Sequence, residues 1–512
     1  MAGRALARMI VVALGLSGML VVIDASPARA VDVGSDAELR AAWADGATTE
    51  IVLTTDIDLS CTGAPTRSTA TPVVVDGGGH TLTNQCPQIG LASFGAGSVT
   101  VRDLVLTGAP TSTAGVVTVG NIALEGTTVA DHGTVGVAAF SNGLVTDSAV
   151  TGNGEDGIAT GLDVTVTNSL VADNALDGLG PAGNATVVGS TLVDNGEQGI
   201  HAPGVVTVSG STIADNVAEG ALAEESLELT DTTVTGNGAV GALSFGTATV
   251  TDSTLATNVG AGIGAGGAVA VLRSTVAANV GVGIASFASV LVQNATVTGN
   301  SAAAVNSASI TAVYATLADN GSGTLGAGTI EMFASVLAAS GSGPNCAATA
   351  TSAGANWADD DSCGLAGPGD VEDPGGDPQL GALASNGGPT DTHLPATTSP
   401  LIDTVALADC ESGPAAGITT DQRDEPRPGV FTDGCDTGAV EVQGSEPIVP
   451  TTTPGSTTPG SPTPGPTAPP STGPDLLPRT GTTGRLPLVL VGGLLVVVGI
   501  ALTAERRIGR AR

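Results

Sequence analysis

Asn153, Asn174, Asn195, Asn216, Asn237, Asn258, Asn279 and Asn300 follow one another at intervals of 21 residues without a slip. A fixed period of this length, held over eight repeats, excludes an ordinary globule and points to a stacked array of one small unit. Other rows keep the same step. Glycine stands four residues after each Asn from Gly157 to Gly283, and Ala304 closes that row. Aliphatic residues stand three before (Val150 to Val297) and eight before (Val145 to Val292). These rows define three short segments per repeat, represented by Ile200 with Ala202, Val206 with Val208, and Ser211 with Ile213. Each alternates with period two, the mark of a strand with one buried face. Three such strands cannot close a layer alone, so each coil must stack on the next and pair in parallel with its equivalents. The periodicity predicts an all-β fold: a single-stranded parallel β-helix with three short strands per 21-residue coil. At about 4.8 Å per coil the eight asparagines span roughly 34 Å.

Composition agrees. Aromatic residues make up 2% of the 512, yet the chain is 41% hydrophobic and holds 75 glycines, so small apolar residues must fill thin layers. There is no lysine, and 15 basic residues face 49 acidic ones for a net charge of −34. Such a surface repels nucleic acid and anionic membranes, and solubility accounts for it most simply.

Within a coil the residue types have distinct tasks. Asn tolerates the left-handed backbone that a tight corner needs, and stacked amides can bond along the axis, so the ladder is expected to be structural. In the phrase S-T-aliphatic-x-D-N (Ser190–Asn195), only the Asp is not demanded by such a fold. Asp173, Asp194 and Asp215 place three carboxylates one coil apart, and oxygen ligands suit calcium. An acidic corner facing water is the simpler alternative. Phe140, Phe245 and Phe287 share the register eight after Asn, where corner packing or a sugar-stacking strip would use them. His132 takes the Asn register one coil before Asn153, and Asn320 comes one residue early. The regular coils therefore run from about 132 to 320. Val73–Thr83 and Val99–Gly108 read as irregular first coils. Ser35-Asp36-Ala37-Glu38 forms a capping box for a short helix through Trp43, expected to plug the first coil and hide its strand edge.

Both ends carry processing signals. Arg4 and Arg8, the apolar run Met9–Ile23 and Ala28-Arg29-Ala30 make residues 1–30 a secretory signal peptide, leaving Val31 as the first mature residue. Export suits disulfides, and the six cysteines fall into neighbouring couples: Cys61 with Cys86, Cys346 with Cys363, and Cys410 with Cys435. Six cysteines allow 15 pairings, of which this is the most economical. Residues 443–476 are rich in Pro, Thr, Ser and Gly, a stalk that reaches roughly 95 Å when extended.

Three resemblances follow from these residues. The coil pattern resembles the right-handed β-helix repeat of pectate-lyase-like proteins, which supplies the handedness. Residues 346–442 resemble the choice-of-anchor Q domain through Asn386-Gly387-Gly388-Pro389-Thr390, Ser399-Pro400-Leu401-Ile402-Asp403, Asp421-Gln422-Arg423, Pro426-Arg427-Pro428 and Cys435 to Glu441. This implies an architecture, with the β-helix proper over 31–345. Residues 477–512 resemble the cell-wall sorting signal of Gram-positive surface proteins. Leu477-Pro478-Arg479-Thr480-Gly481 precedes an apolar membrane segment (486–502) and the basic tail Arg506, Arg507, Arg510 and Arg512. The resemblance implies a sortase that cuts after Thr480 and links its carboxyl to peptidoglycan.

A β-helix also hosts lyases, hydrolases and epimerases, so catalysis needs weighing. Between Gly108 and Ser340 the single Arg or Lys is Arg273, with Asp252 one coil earlier. His201 has Gly180 and Leu222 as its neighbours one coil away and reads as a solvated outer residue. No paired acid–base set emerges from the spacing, and no catalytic residue or obligatory cofactor is assigned. The expected role is structural or adhesive, presenting a stiff face to extracellular polysaccharide; the alternative is a polysaccharide lyase or glycoside hydrolase.

Overall fold

A computed structural model describes residues 29–444 apart from 327, 339, 340 and 431. Residues 1–28 of the expected signal peptide, the expected stalk beyond residue 444, the expected sorting motif Leu477–Gly481 and the segment 486–502 lie outside the described residues. Among the described residues no helix is long and apolar enough to cross a membrane.

The chain winds into a right-handed parallel β-helix, the hand that parallel crossovers take. Three sheets run its length. Sheet one has 13 strands, from Thr66–Arg67 to Leu325–Gly326. Sheet two has 16, from Ala30–Val33 to Thr351–Ser352, and sheet three has 16, from Ile57–Asp58 to Val371–Glu372. One coil shows the layout: Ile200–Ala202 lies in sheet one, Val205–Ser209 in sheet two and Thr212–Ala214 in sheet three. Each pairs with its equivalent 21 residues on, as in Ile200 with Ala221, Val206 with Leu227 and Ile213 with Val234. One apolar cluster runs from Val33 to Cys363, built mostly of Val, Leu, Ile and Ala. Each fully buried branched side chain contributes about 1.5–3 kcal/mol. Small residues suffice because each coil supplies a thin layer, and the layers add.

The first coil is plugged as expected. Helix α1 spans Asp36–Ala44, and its N-cap Ser35 accepts from Glu38 N while Glu38 accepts from Gly34 N. Leu39, Ala42 and Trp43 are buried, and Trp43 Nε1 donates to Ala92 O at 3.0 Å. Buried Arg67 ties the plug down by donating to the carbonyls of Trp43, Asp45, Thr48 and Thr71. The three disulfides join Cys61 to Cys86, Cys346 to Cys363 and Cys410 to Cys435.

The C-terminal boundary differs from the expected one at 345. Thr351–Ser352, Trp357–Ala358 and Val371–Glu372 still pair in parallel with the preceding coils, so the solenoid continues to Glu372. Disulfide-braced turns replace the asparagine rhythm there, which is why the period is lost in sequence while the coil survives. The rest of the described chain, up to residue 444, then folds back along the outside of sheet three. It holds two short antiparallel pairs, Leu380–Ala384 with Thr392–Pro395 and Val405–Ala406 with Gly434–Cys435. Gln422 donates to Ser274 O and Thr275 Oγ1 and accepts from Thr296 Oγ1. Arg427 lies 3.9 Å from the Tyr314 ring centroid, donates to Asp436 O and Gly438 O, and stands 3.5 Å from Glu441.

Candidate functional site

The asparagine ladder is continuous and buried. Asn195 Nδ2 donates to Asn216 Oδ1 at 2.9 Å and to Val171 O at 3.3 Å, while its backbone N donates to Asn216 Oδ1. The same links join Asn153 through Asn300 and reach Asn320, so the early arrival of Asn320 is absorbed. A second ladder had no sequence forecast. Ser148, Ser169, Ser190 and Ser211 each accept from the equivalent backbone N–H one coil earlier, while each hydroxyl donates to the carbonyl two residues before it.

One expectation reverses. The left-handed residue at the corner is not the Asn but the residue before it. Asp131, Asp173, Asp194 and Asp215 have φ of 60°, 55°, 57° and 53°, and Gly152, Gly236 and Gly299 fill the same row. Asp and Gly fill most of the row because both accept this backbone at low cost, and Thr257 and Ala278 take it too, at 56° and 54°. The Asp that looked optional is a corner residue. The expected calcium set finds no ligand cluster: among the described residues no three His, Cys, Asp or Glu side chains are placed to hold a metal ion. Asp173, Asp194 and Asp215 are exposed, one coil apart. A parallel left-handed row turns the chain from sheet two into sheet three, at Asp147, Asn168, Gly189, Gly210 and Asp231.

The phenylalanines do not pack into the corner. Phe140, Phe245 and Phe287 are 71%, 41% and 64% exposed, and Phe94, at the same place in an irregular coil, is 55% exposed. All four directly follow a sheet-one strand. Phe140 and Phe287 stand seven coils apart, about 34 Å. Between them the outward row of sheet one is small at both ends (Ala138, Ala159, Gly180, then Gly264 and Ala285) and carries His201, Leu222 and Leu243 in its middle.

Midway along this edge stands His201, and it is not simply solvated. Its side chain is 11% exposed, with Nδ1 3.8 Å from Asp177 Oδ2 and Nε2 3.7 Å from Glu224 Oε1. Asp177 is buried, and its Oδ1 accepts from Gln198 N, whose own side chain donates to Glu219. A Cβ on Gly180, the outward residue one coil before His201, would meet Asp156 Oδ2 at 3.2 Å, so the glycine leaves room for that carboxylate. Linear spacing concealed this group. Asp177 reaches His201 from the corner of the coil before, and Glu224 from the coil after. The imidazole between two carboxylates has the elements for proton exchange and for bonding to sugar hydroxyls. Arg273 is remote from it in register, engaged by Asp252 and lying 3.6 Å from Asp424.

A separate cleft of about 600 Å³ opens where the Leu380–Ala384 strand overhangs sheet three, with Trp357, Asp319 and His393 in its walls. His393 engages Gly381 O and Thr298 Oγ1 through its two ring nitrogens, which locks the overhang in place.

The family model of the pectate lyase-like adhesive domain matches residues 30–153, and that of the right-handed β-helix region matches residues 181–320. No curated protein matches this chain. Among solved structures, the A-module of the Azotobacter vinelandii mannuronan C-5 epimerase AlgE6 is 15% identical, covering 63% of this chain and 94% of that one, with a TM-score of 0.35. The periplasmic alginate epimerase AlgG is 13% identical over 58% of this chain and 76% of that one, with a TM-score of 0.30. Pectate lyase Pel9A is 15% identical over 81% and 96%, with a TM-score of 0.28. Likenesses this distant carry nothing about chemistry. The protein is a right-handed parallel β-helix whose N-terminal coils are similar to a pectate lyase-like adhesive domain.

Proposed function

We propose that this is a wall-anchored surface protein that holds extended, neutral polysaccharide along the sheet-one edge. The observation that carries the reading is the row of exposed phenylalanines along the edge of sheet one. Exposed rings in one line offer stacking faces, each contributing about 0.5–1.5 kcal/mol beyond burial. A coil advances by about 4.8 Å, close to one pyranose ring of an extended chain, so successive rings meet equivalent surface. The excess of carboxylates disfavours polyanionic sugars. Export, the stalk and the Leu477–Gly481 motif support attachment to peptidoglycan through Thr480 after sortase cleavage.

The two parts are tested separately. On a polysaccharide panel, the F140A/F245A/F287A protein is expected to lose binding by about tenfold or more while its circular dichroism is unchanged. Retained binding would sink the stacking strip. For anchoring, T480A should move the protein from the wall fraction to the membrane or medium. The Asp177–His201–Glu224 group favours a second reading, in which the same edge acts on its glycan. Product release that H201A abolishes would establish it.

A further inference from the structure

Sheet three carries its own occupant over part of its length. The folded-back C-terminal segment covers Thr275, Thr296, Thr298 and Thr316, and each outward hydroxyl is used. Thr275 donates to Asp391 O, Thr296 donates to Gln422 Oε1, Thr298 meets His393 Nε2 at 2.9 Å, and Thr316 accepts from Ala439 N. Ala277 and Ala318 complete the platform.

Three coils earlier the same platform recurs. Thr212, Thr233 and Thr254 stand where Thr275, Thr296 and Thr316 stand, and Ala214, Thr235 and Ala256 repeat Ala277, Thr298 and Ala318. The strands are of one length and in one continuous register. Here, though, Thr233 is exposed, and Thr212, Thr235 and Thr254 are half-buried.

The rims differ in charge. The covered platform has Arg273, which lies near Asp424, and Asn294, which donates to Thr420 O at 2.7 Å. In the equivalent places the earlier platform has Gly210 and Asp231. On the opposite rim Asp215 replaces Ala278. Asp215 and Asp231 are both exposed. The uncovered platform thus keeps the hydroxyl array that seats an extended polypeptide, but its rims carry Asp215, Asp231 and Asp252, the last engaged by Arg273, where the rims of the covered platform carry Arg273 and a single acid, Asp319. The chain's own acidic segment is repelled there, and a basic segment is attracted.

We propose that sheet three over Thr212–Ala256 is a docking site for an extended, basic polypeptide segment of a partner protein. Amide and hydroxyl side chains of that segment engage the threonines as Gln422 and Thr390 engage the covered coils, while Lys or Arg at its ends meets Asp215 and Asp231. The site lies on a different sheet from the phenylalanine edge and does not depend on it.

The test uses the full chain and two synthetic decapeptides of alternating Thr and Gln, one flanked by Arg and one by Glu, read by fluorescence anisotropy. The Arg peptide should bind and the Glu peptide should not. T212A/T233A/T254A and D215N/D231N should each weaken the Arg peptide by about tenfold, with circular dichroism unchanged. F140A/F245A/F287A should leave it unaffected. Failure of the Arg peptide to bind, equal binding of the Glu peptide, or insensitivity to both platform variants would overturn the proposal. So would displacement of the peptide by a neutral polysaccharide, which would assign the face to a glycan.

Discussion

At the scale of single residues, the corner row separates shape from charge. If Asp194 serves the left-handed backbone, Asp194→Gly should leave the urea midpoint nearly unchanged. Asp194→Val, which cannot take that backbone cheaply, should cost about 1–2 kcal/mol. His132 offers a second test. It occupies the asparagine register, buried, with its backbone N donating to Asn153 Oδ1 and its Nδ1 3.1 Å from Ser112 Oγ. Burial pushes its pKa down to about 4. A histidine lowered in the fold stays neutral there while the unfolded chain takes up its proton, so stability falls as pH drops from about 6.5 to 4 and then levels off. The full loss is about 3 kcal/mol. Burial also pushes the Glu441 carboxyl up to about 7, against the pull of Arg427. A raised carboxylate acts in the opposite sense, losing stability as pH rises from about 4.5 to 7. The histidine effect must therefore be read as the difference between wild type and His132→Asn in denaturant melts at pH 7 and pH 4.5. That variant should extend the ladder and lose the histidine's share of the slope.

At the scale of elements, the strands were legible and their corners were not. Period-two rows give each strand its inward face, and the Ser35–Glu38 box announces helix α1. Which corner residue turns left-handed was hidden, because Asn, Asp and Gly all tolerate that backbone and two of them stand side by side in most coils. Arg67 was equally hidden: its four carbonyl partners come from the helix end and the loops around it, which no local pattern links. The His201 group was missed because its members come from three successive coils. The plug itself predicts an outcome. Trp43→Ala should cost about 3–5 kcal/mol of cap stability and expose the end of sheet two, raising the share of oligomers in light scattering relative to the wild type.

At the scale of the whole molecule, the solenoid and its folded-back segment are separable in stability. The segment rests on sheet three through a few side chains, with Gln422 serving Ser274, Thr275, Thr296 and Thr390 at once. Gln422→Ala should release the segment locally without unwinding the coils. Limited proteolysis should then clip between about 374 and 420 while the β-sheet circular dichroism persists; a global loss of sheet signal would contradict that separation. The solenoid was readable from its period. Where the segment docks was not readable, since contacts such as Gln422 with Ser274 join residues 148 positions apart.

The path of that segment also decides how the molecule bears load. Hydrogen bonds between coils all point along the long axis, so a pull on the last coil would peel the rod one turn at a time. The described chain does not leave from the last coil. It leaves at Gln443, which donates to Pro426 O, after Glu441 O has been bound by Arg423. In the proposed wall-anchored state, tension arriving from beyond residue 444 would meet Arg423, Arg427 and Gln422 first, and would spread sideways over several coils of sheet three. The flank acts as a strain-relief clamp, and the fragile end of the rod is left slack.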